Sequence, residues 1–204
     1  MKDSVYTLSY ALGLAVLCAV LLTAVGLATQ DRQRANEEAE EVRNILLVLG
    51  IAYPEGARPE DLLEIYERKV AEEKIGDLQT FVYRENERTL AVAVPVSGPG
   101  LWGPIEGFLA LEPDLKTVRG VAFHRQEETP GLGGEIASDE FRRRFEGKQV
   151  AANAGPPLRI TMPGQATGPN EIDGITGATM TCDKVETMLN NVLRQLAREA
   201  QLHG

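Results

Sequence analysis

Apolar residues dominate the start of the chain, then recur at helical spacing, then alternate. From Val5 to Thr29 no residue is charged and Leu, Ala and Val prevail. Coiled as a helix, these roughly 25 residues rise roughly 37 Å, more than the ~30 Å hydrocarbon core of a bilayer. The run therefore predicts a transmembrane anchor over residues 1–30, with lipid against residues 5–29. A cleaved secretory signal is the competing reading, supported by the short basic start and by small residues near Ala24 and Gly26. Signal cores span only about 7–15 apolar residues, so the length favours a retained helix. Lys2 on one side of the run and Arg32 and Arg34 on the other, diluted by acids, leave its orientation open.

Beyond Thr29 the helical period takes over. Ala35 to Leu49 places Val42, Ile45, Leu46 and Leu49 on one stripe before Gly50, which predicts a helical stalk over residues 31–50. A second helix is expected from Pro59 to about Glu73, with Leu62, Leu63, Ile65, Tyr66 and Val70 inward. The period then shortens to two. Thr80–Tyr83 and Leu90–Val96 predict a hairpin turning at Glu85-Asn86-Glu87-Arg88, and 105–111 with 118–123 predict another turning at Pro113-Asp114. Phe141 and Phe145 suit a short helix that Ser138 caps, Leu158–Met162 suits a strand, and Val185–Leu202 a closing amphipathic helix. Strands and helices that do not alternate as βαβ units imply an α+β class: a single N-terminal transmembrane helix followed by one domain, residues 51–204, of antiparallel strands flanked by helices.

The formal net charge of −9 arises outside the first thirty residues, where Lys2 and Asp3 cancel. An acidic surface opposes phosphate backbones, so nucleic acid is excluded as a partner. The one basic run, Arg142–Arg144, reads as a solvated helix face. Two cysteines, Cys18 and Cys182, and two histidines, His124 and His203, give neither a disulfide framework nor metal-ligand spacing, so no metal is expected. Cys182 reads as a small packed residue and His124 as a surface or hydrogen-bonded loop residue.

Three segments concentrate residues suited to a ligand. Asp173-Gly-Ile-Thr-Gly-Ala-Thr-Met-Thr181 gathers small residues, hydroxyls and a carboxylate before the last helix, whose amino end offers unpaired N–H groups and a positive dipole end to a phosphate. By itself this also describes an ordinary helix cap. Glu128-Thr-Pro-Gly-Leu-Gly-Gly-Glu135 lets a flat ring approach the backbone, although glycine-rich loops are common. Gly100-Leu-Trp-Gly-Pro104 holds the single tryptophan, Trp102, which equally suits a core position.

Taken together, the three strings resemble the FMN-binding domain family, and most of all the C subunit of the Na+-translocating NADH:quinone reductase. Asp173, Thr176, Gly177, Ala178 and Thr179 match the motif on which a flavin transferase moves FMN from FAD to the last threonine, releasing AMP. The resemblance implies FMN held covalently by a phosphoester to Thr179, with Asp173 needed by the transferase to orient or deprotonate the hydroxyl. It further implies that Glu128, Thr129, Gly131, Leu132 and Gly133 line the flavin, Leu132 packing on the isoalloxazine and Thr129 and neighbouring amides meeting its polar edge. The Gly-Leu-Trp-Gly string around Trp102 favours the reductase over the related G subunit of the Rnf complex, which shares the other two motifs. A shorter chain and the Thr181-Cys182-Asp183 sequence depart from that reductase pattern.

By the same resemblance the chain is an electron-transfer subunit with no catalytic residue of its own. Its partners are the other integral membrane subunits of the pump and the transferase during maturation. It would sit singly anchored in the bacterial inner membrane, its soluble domain on the periplasmic face. No Gly-x-Gly-x-x-Gly opens a βαβ unit, so NADH must be oxidised by another chain. A stand-alone tethered flavin module is the alternative of a different class. A hydrolase using Thr179 as nucleophile lacks an adjacent base.

Overall fold

The computed structural model describes residues 2–151 and 155–203, and all their side chains except those of residues 2–4, 31 and 201–203. The chain divides into two compact units, Met1–Ala39 and Glu40–Gly204. The first is wholly helical where described. Helix α1, Lys2–Val48, runs through it without a break and ends in the second. Within α1, the 26 residues Val5–Gln30 have a mean hydropathy of 2.5, long and apolar enough to cross a membrane. Leu8, Val16, Leu17 and Leu14, which point to different sides of the helix, are all exposed, so it is apolar all round, which water does not favour.

In the second unit α1 stops for a clear reason. Gly50 takes a left-handed φ of +68°. Its N–H donates to the Leu47 carbonyl and that of Ile51 to Leu46, the paired bonds that close a helix on glycine. Helix α2, Pro59–Lys69, opens with proline and with the Arg58 amide donating to the Asp61 carboxylate.

Five strands form one antiparallel meander in the order β1-β2-β3-β4-β5. They are β1 Val70–Ile75, β2 Leu78–Glu85, β3 Arg88–Pro99, β4 Pro104–Leu111 and β5 Val118–Arg125. The β2–β3 turn falls at Asn86 and Glu87, whose φ angles of 50° and 64° match the right-handed twist of the strands they join. Strand β1 corrects the expectation that α2 continues to Glu73. Val70 is already extended and pairs with Tyr83, so sheet pairing overrides the helical propensity of Glu72 and Glu73. The two expected hairpins are likewise one sheet, because Pro99 pairs with Pro104 and Gly100–Gly103 become the turn between β3 and β4.

Alternation along these strands builds two cores. One face carries Val94, Val96, Ile105, Leu109, Leu111, Val121 and Phe123 against helices α3, Asp139–Arg143, and α4, Thr179–His203. Each such side chain, fully buried, contributes about 1.5–3 kcal/mol. The other face carries Ala91, Ala93, Ala110, Ala122 and Phe108 beneath Val42, Ile45, Leu46, Val48 and Leu49 of α1. Small residues there let the helix lie close: a Cβ on Gly120 would come within 3.4 Å of the Val48 carbonyl oxygen.

Past β5 a 3-10 turn, Gly133–Ala137, leads into α3, whose cap is Ser138 accepting from the Phe141 amide. Short strands β6, Arg159–Thr161, and β7, Glu171–Asp173, pair in parallel, a feature outside the expected antiparallel pattern. Helix α4 starts six residues before the expected Val185 and secures β6 through side chains. Asn190 both donates to and accepts from the Leu158 backbone at 2.8 Å, and Glu186 accepts from the Ile160 amide at 2.6 Å.

Candidate functional site

Three loops carry the residues singled out above, and one carboxylate joins them. Glu128, only 4 % exposed, follows β5. One of its oxygens accepts from the amides of Leu101 at 2.7 Å and Trp102 at 3.1 Å; the other accepts from the Thr181 hydroxyl at 2.6 Å. The β3–β4 turn, the loop after β5 and the first turn of α4 thereby meet at a single side chain. Two glycines make room for it. A Cβ on Gly100 would sit 2.5 Å from one carboxylate oxygen, and one on Gly133 would sit 2.8 Å from the other. Burial pushes the Glu128 carboxyl up, but the Thr181 hydroxyl and the Trp102 and Leu101 amides outweigh it, so its pKa lies below the ordinary glutamate value. Glu128 is thus a buried junction that shapes the site.

The loop beyond it is wound on one carbonyl. Thr129 oxygen accepts from Leu132 N at 3.1 Å and Gly134 N at 3.0 Å, with Gly131 left-handed at φ +76°. Those two amides are therefore committed within the loop, while the Thr129 side chain is exposed. The winding pushes Leu132 outward, 44 % exposed, and the β3–β4 turn does the same to Trp102 at 70 %. Trp102 is no core residue. Leu101 and Met180 are exposed as well. Apolar groups left in water beside a polar junction mark a surface suited to a flat ring.

The third segment forms the neck and tip of a turn. After β7 the Gly174 amide donates to Thr161 oxygen, the Ile175 amide to the Cys182 sulfur at 3.4 Å, and the Ala178 amide to Ile175 oxygen. Cys182 is packed, as its residue type led us to expect, and burial pushes its thiol up. Gly177 is left-handed at φ +76°, and a Cβ there would come 3.1 Å from the Leu132 side chain, which places turn and loop side by side. Ala178 is buried, whereas Thr176, Gly177 and Thr179 are exposed. Thr179 is the first residue of α4 and lines a cavity of about 470 Å³ with Thr161, Met162, Ile175 and Cys182.

Asp173 faces another way. Its carboxylate accepts from the Ala166 amide at 3.0 Å. That bond foremost, with the Gln165 and Gly164 amides and the Arg144 charge, holds its pKa below the usual carboxylate value against the upward pull of burial. Arg144 corrects the reading of Arg142–Arg144 as a solvated face: its guanidinium donates to the carbonyls of Asp173 at 3.0 Å and Gly174 at 2.8 Å. His124 lies on β5, not in a loop. It stacks on Phe108 at 5.3 Å, on the sheet face that also holds α1, and its Nδ1 is buried without a partner. The sequence placed Thr181 among the hydroxyls of its segment and Arg144 in a basic run but showed the role of neither, because their partners lie 53 and 29 residues away.

The comparisons with known proteins bear on the same segment. Residues 100–194, from the β3–β4 turn through most of α4, match the family model described as the FMN-binding domain. Its boundaries enclose all three loops gathered on Glu128. The chain is similar to the C subunit of the Na(+)-translocating NADH-quinone reductase of Vibrio campbellii, 26 % identical with 88 % of this chain and 87 % of the relative covered. Its counterpart in Yersinia pestis is also 26 % identical, covering 87 % and 84 %. Among solved structures, the C subunit of the same reductase from Parabacteroides distasonis superposes with a TM-score of 0.71 at 24 % identity, over 83 % of this chain and 96 % of that one. NqrC of Shewanella oneidensis gives 0.68 at 21 %, over 80 % and 99 %. Over the covered residues the fold of this chain is that of these proteins.

The described residues fit FMN in kind. A phosphoester needs a hydroxyl and a phosphate favours the amino end of a helix, and Thr179 is the exposed first residue of α4. A tricyclic ring needs apolar walls, and Trp102, Leu132 and Met180 stand ready in solvent.

Proposed function

We propose that this chain is a C-type subunit of a Na+-translocating NADH:quinone reductase and carries its FMN on Thr179. The observation that carries the reading is the convergence of the three motif segments on Glu128, with Trp102, Leu132 and Thr179 all left exposed. The names of the relatives and the Gly100–Gly103 turn favour this assignment over the Rnf type and over a free-standing module.

FMN supplies the redox chemistry; the protein sets its place and surroundings. In maturation the Thr179 Oγ attacks the flavin-side phosphorus of FAD. The new Oγ–P bond replaces the bond to AMP, the hydroxyl proton passes to solvent, and no electron changes hands. The Asp173 to Ala178 turn presents the hydroxyl, Trp102 and Leu132 wall the ring, and Glu128 holds the walls to the helix that bears it. Val5–Gln30 anchors the chain in the bacterial inner membrane, with residues 51–204 on the periplasmic face beside the other integral subunits. An orientation of that kind lets the transferase reach Thr179.

Intact mass and in-gel fluorescence of the denatured chain, co-expressed with its transferase, test the attachment. The wild-type chain should carry the mass and fluorescence of one FMN, and Thr179→Ala neither. Fluorescence persisting in that variant would refute the site.

A further inference from the structure

The flavin-bearing turn is exposed at its tip yet pinned at its neck, and the pin is a residue that no motif contains. Arg144 closes the segment after α3 and reaches back with one nitrogen to two consecutive carbonyls, Asp173 at 3.0 Å and Gly174 at 2.8 Å. Its other terminal nitrogen is tied to Glu140, and the guanidinium lies over the Phe141 ring, 5.8 Å from the centroid. The side chain is thus held on two sides besides its contact with the turn. Phe141 is itself locked in the core, 1 % exposed, so the guanidinium rests on a rigid platform. On the far side of the same residue, the Asp173 carboxylate grips the Ala166 amide. Between them they fix the backbone where β7 ends and the turn begins.

The two carbonyls lie where the pairing of β7 with β6 ends, at Thr161 and Asp173, so the ladder does not continue beyond them to fix the turn. With both bound to one planar cation, the neck keeps one conformation while Thr176, Gly177 and Thr179 remain in solvent. A phosphoryl acceptor benefits from this arrangement, since a hydroxyl held in place spares the transferase the entropy of ordering it.

Building on the function proposed above, we infer that Arg144 is a positioning residue for flavin attachment, and that Asp173 serves the same end by anchoring residues 164–166. Asp173 then needs its acceptor oxygens more than its charge.

The test uses the full-length chain in detergent, with FAD and purified transferase. Initial rates of covalent flavin formation are measured against chain concentration, beside thermal melting of each variant. Arg144→Ala should lose on the order of 10- to 100-fold in kcat/KM, beyond any loss of folded protein. Arg144→Lys, which keeps a donor for the carbonyls, should recover much of it, and Asp173→Asn should stay within about tenfold of wild type, since an amide oxygen still accepts. Arg144→Ala attaching flavin at the wild-type rate would overturn the inference, as would losses in both Arg144 variants that merely track the folded fraction. An abolished rate in Asp173→Asn with normal melting would return that residue to chemistry in the transferase complex and overturn its half of the proposal. A wild-type chain that takes no flavin would sink the parent reading as well, whereas flavin on wild type and Arg144→Ala alike sinks only this one.

Discussion

Removing the Glu128 side chain should uncouple the three loops while leaving the sheet intact. The carboxylate accepts three hydrogen bonds, from Leu101, Trp102 and Thr181, and is nearly sealed from water. A hydrogen bond to a charged group is worth roughly 1.5–3 kcal/mol, and a buried donor left unpaired costs about 1–3 kcal/mol. Glu128→Ala deletes all three bonds, but the Leu101 and Trp102 amides lie on an exposed turn that water can reach, so we expect a loss of roughly 3–5 kcal/mol rather than the full sum. In a domain of this size that lowers Tm by on the order of 10 °C. Glu128→Gln keeps an oxygen for the two amides and can donate to Thr181, and should cost only about 1–2 kcal/mol. Thr181→Val should cost about 1–3 kcal/mol, and the double variant should fall short of additivity by about 0.5–3 kcal/mol. Urea unfolding of each variant measures these terms. Trp102 is the single tryptophan, so its fluorescence anisotropy reports the loop directly and should fall in Glu128→Ala. A Glu128→Ala chain within about 1 kcal/mol of wild type, with unchanged anisotropy, would refute the junction.

Two further outcomes follow from the same geometry. Trp102→Ala should change the stability of the flavin-free chain by less than about 0.5 kcal/mol, since the ring is 70 % exposed, yet should leave attached flavin brighter and more mobile, read by fluorescence lifetime and anisotropy. Stability should be level from neutral pH down to the ordinary carboxylate range and should fall as pH drops through it. Glu128, Glu171 and Asp173 all have folded pKa values below their ordinary ones, so in that window the unfolded chain binds more protons and acid favours it. Urea midpoints followed from neutral to acid pH check the sign, and Glu128→Gln should flatten the profile.

The chain's local patterns sufficed where a property depends on neighbours in sequence. An uncharged run from Val5 to Thr29 is apolar all round wherever it is placed. Gly50 ends a helix because only its backbone conformation allows the closing bonds. The string ending in Thr179 stands at a helix start because small residues and hydroxyls favour that position. The strand-like runs from Leu90 to Val96 and from Ile105 to Leu111 lie within β3 and β4, as their local pattern predicts.

Long-range pairing decided the rest. Val70–Ile75 is a strand because β2 lies beside it, although its own residues lean helical. Trp102 is exposed because Pro99 pairs with Pro104 and turns the ring out of the sheet, which no count of hydrophobic residues would reveal. Glu128 became the centre of the site, and Arg144 the brace of its turn, through partners brought close only when the meander folds and α4 crosses it. Motif residues announce themselves by adjacency. The groups that hold them in place do not, because hydrogen bonding acts across space and leaves no spacing in the sequence to read.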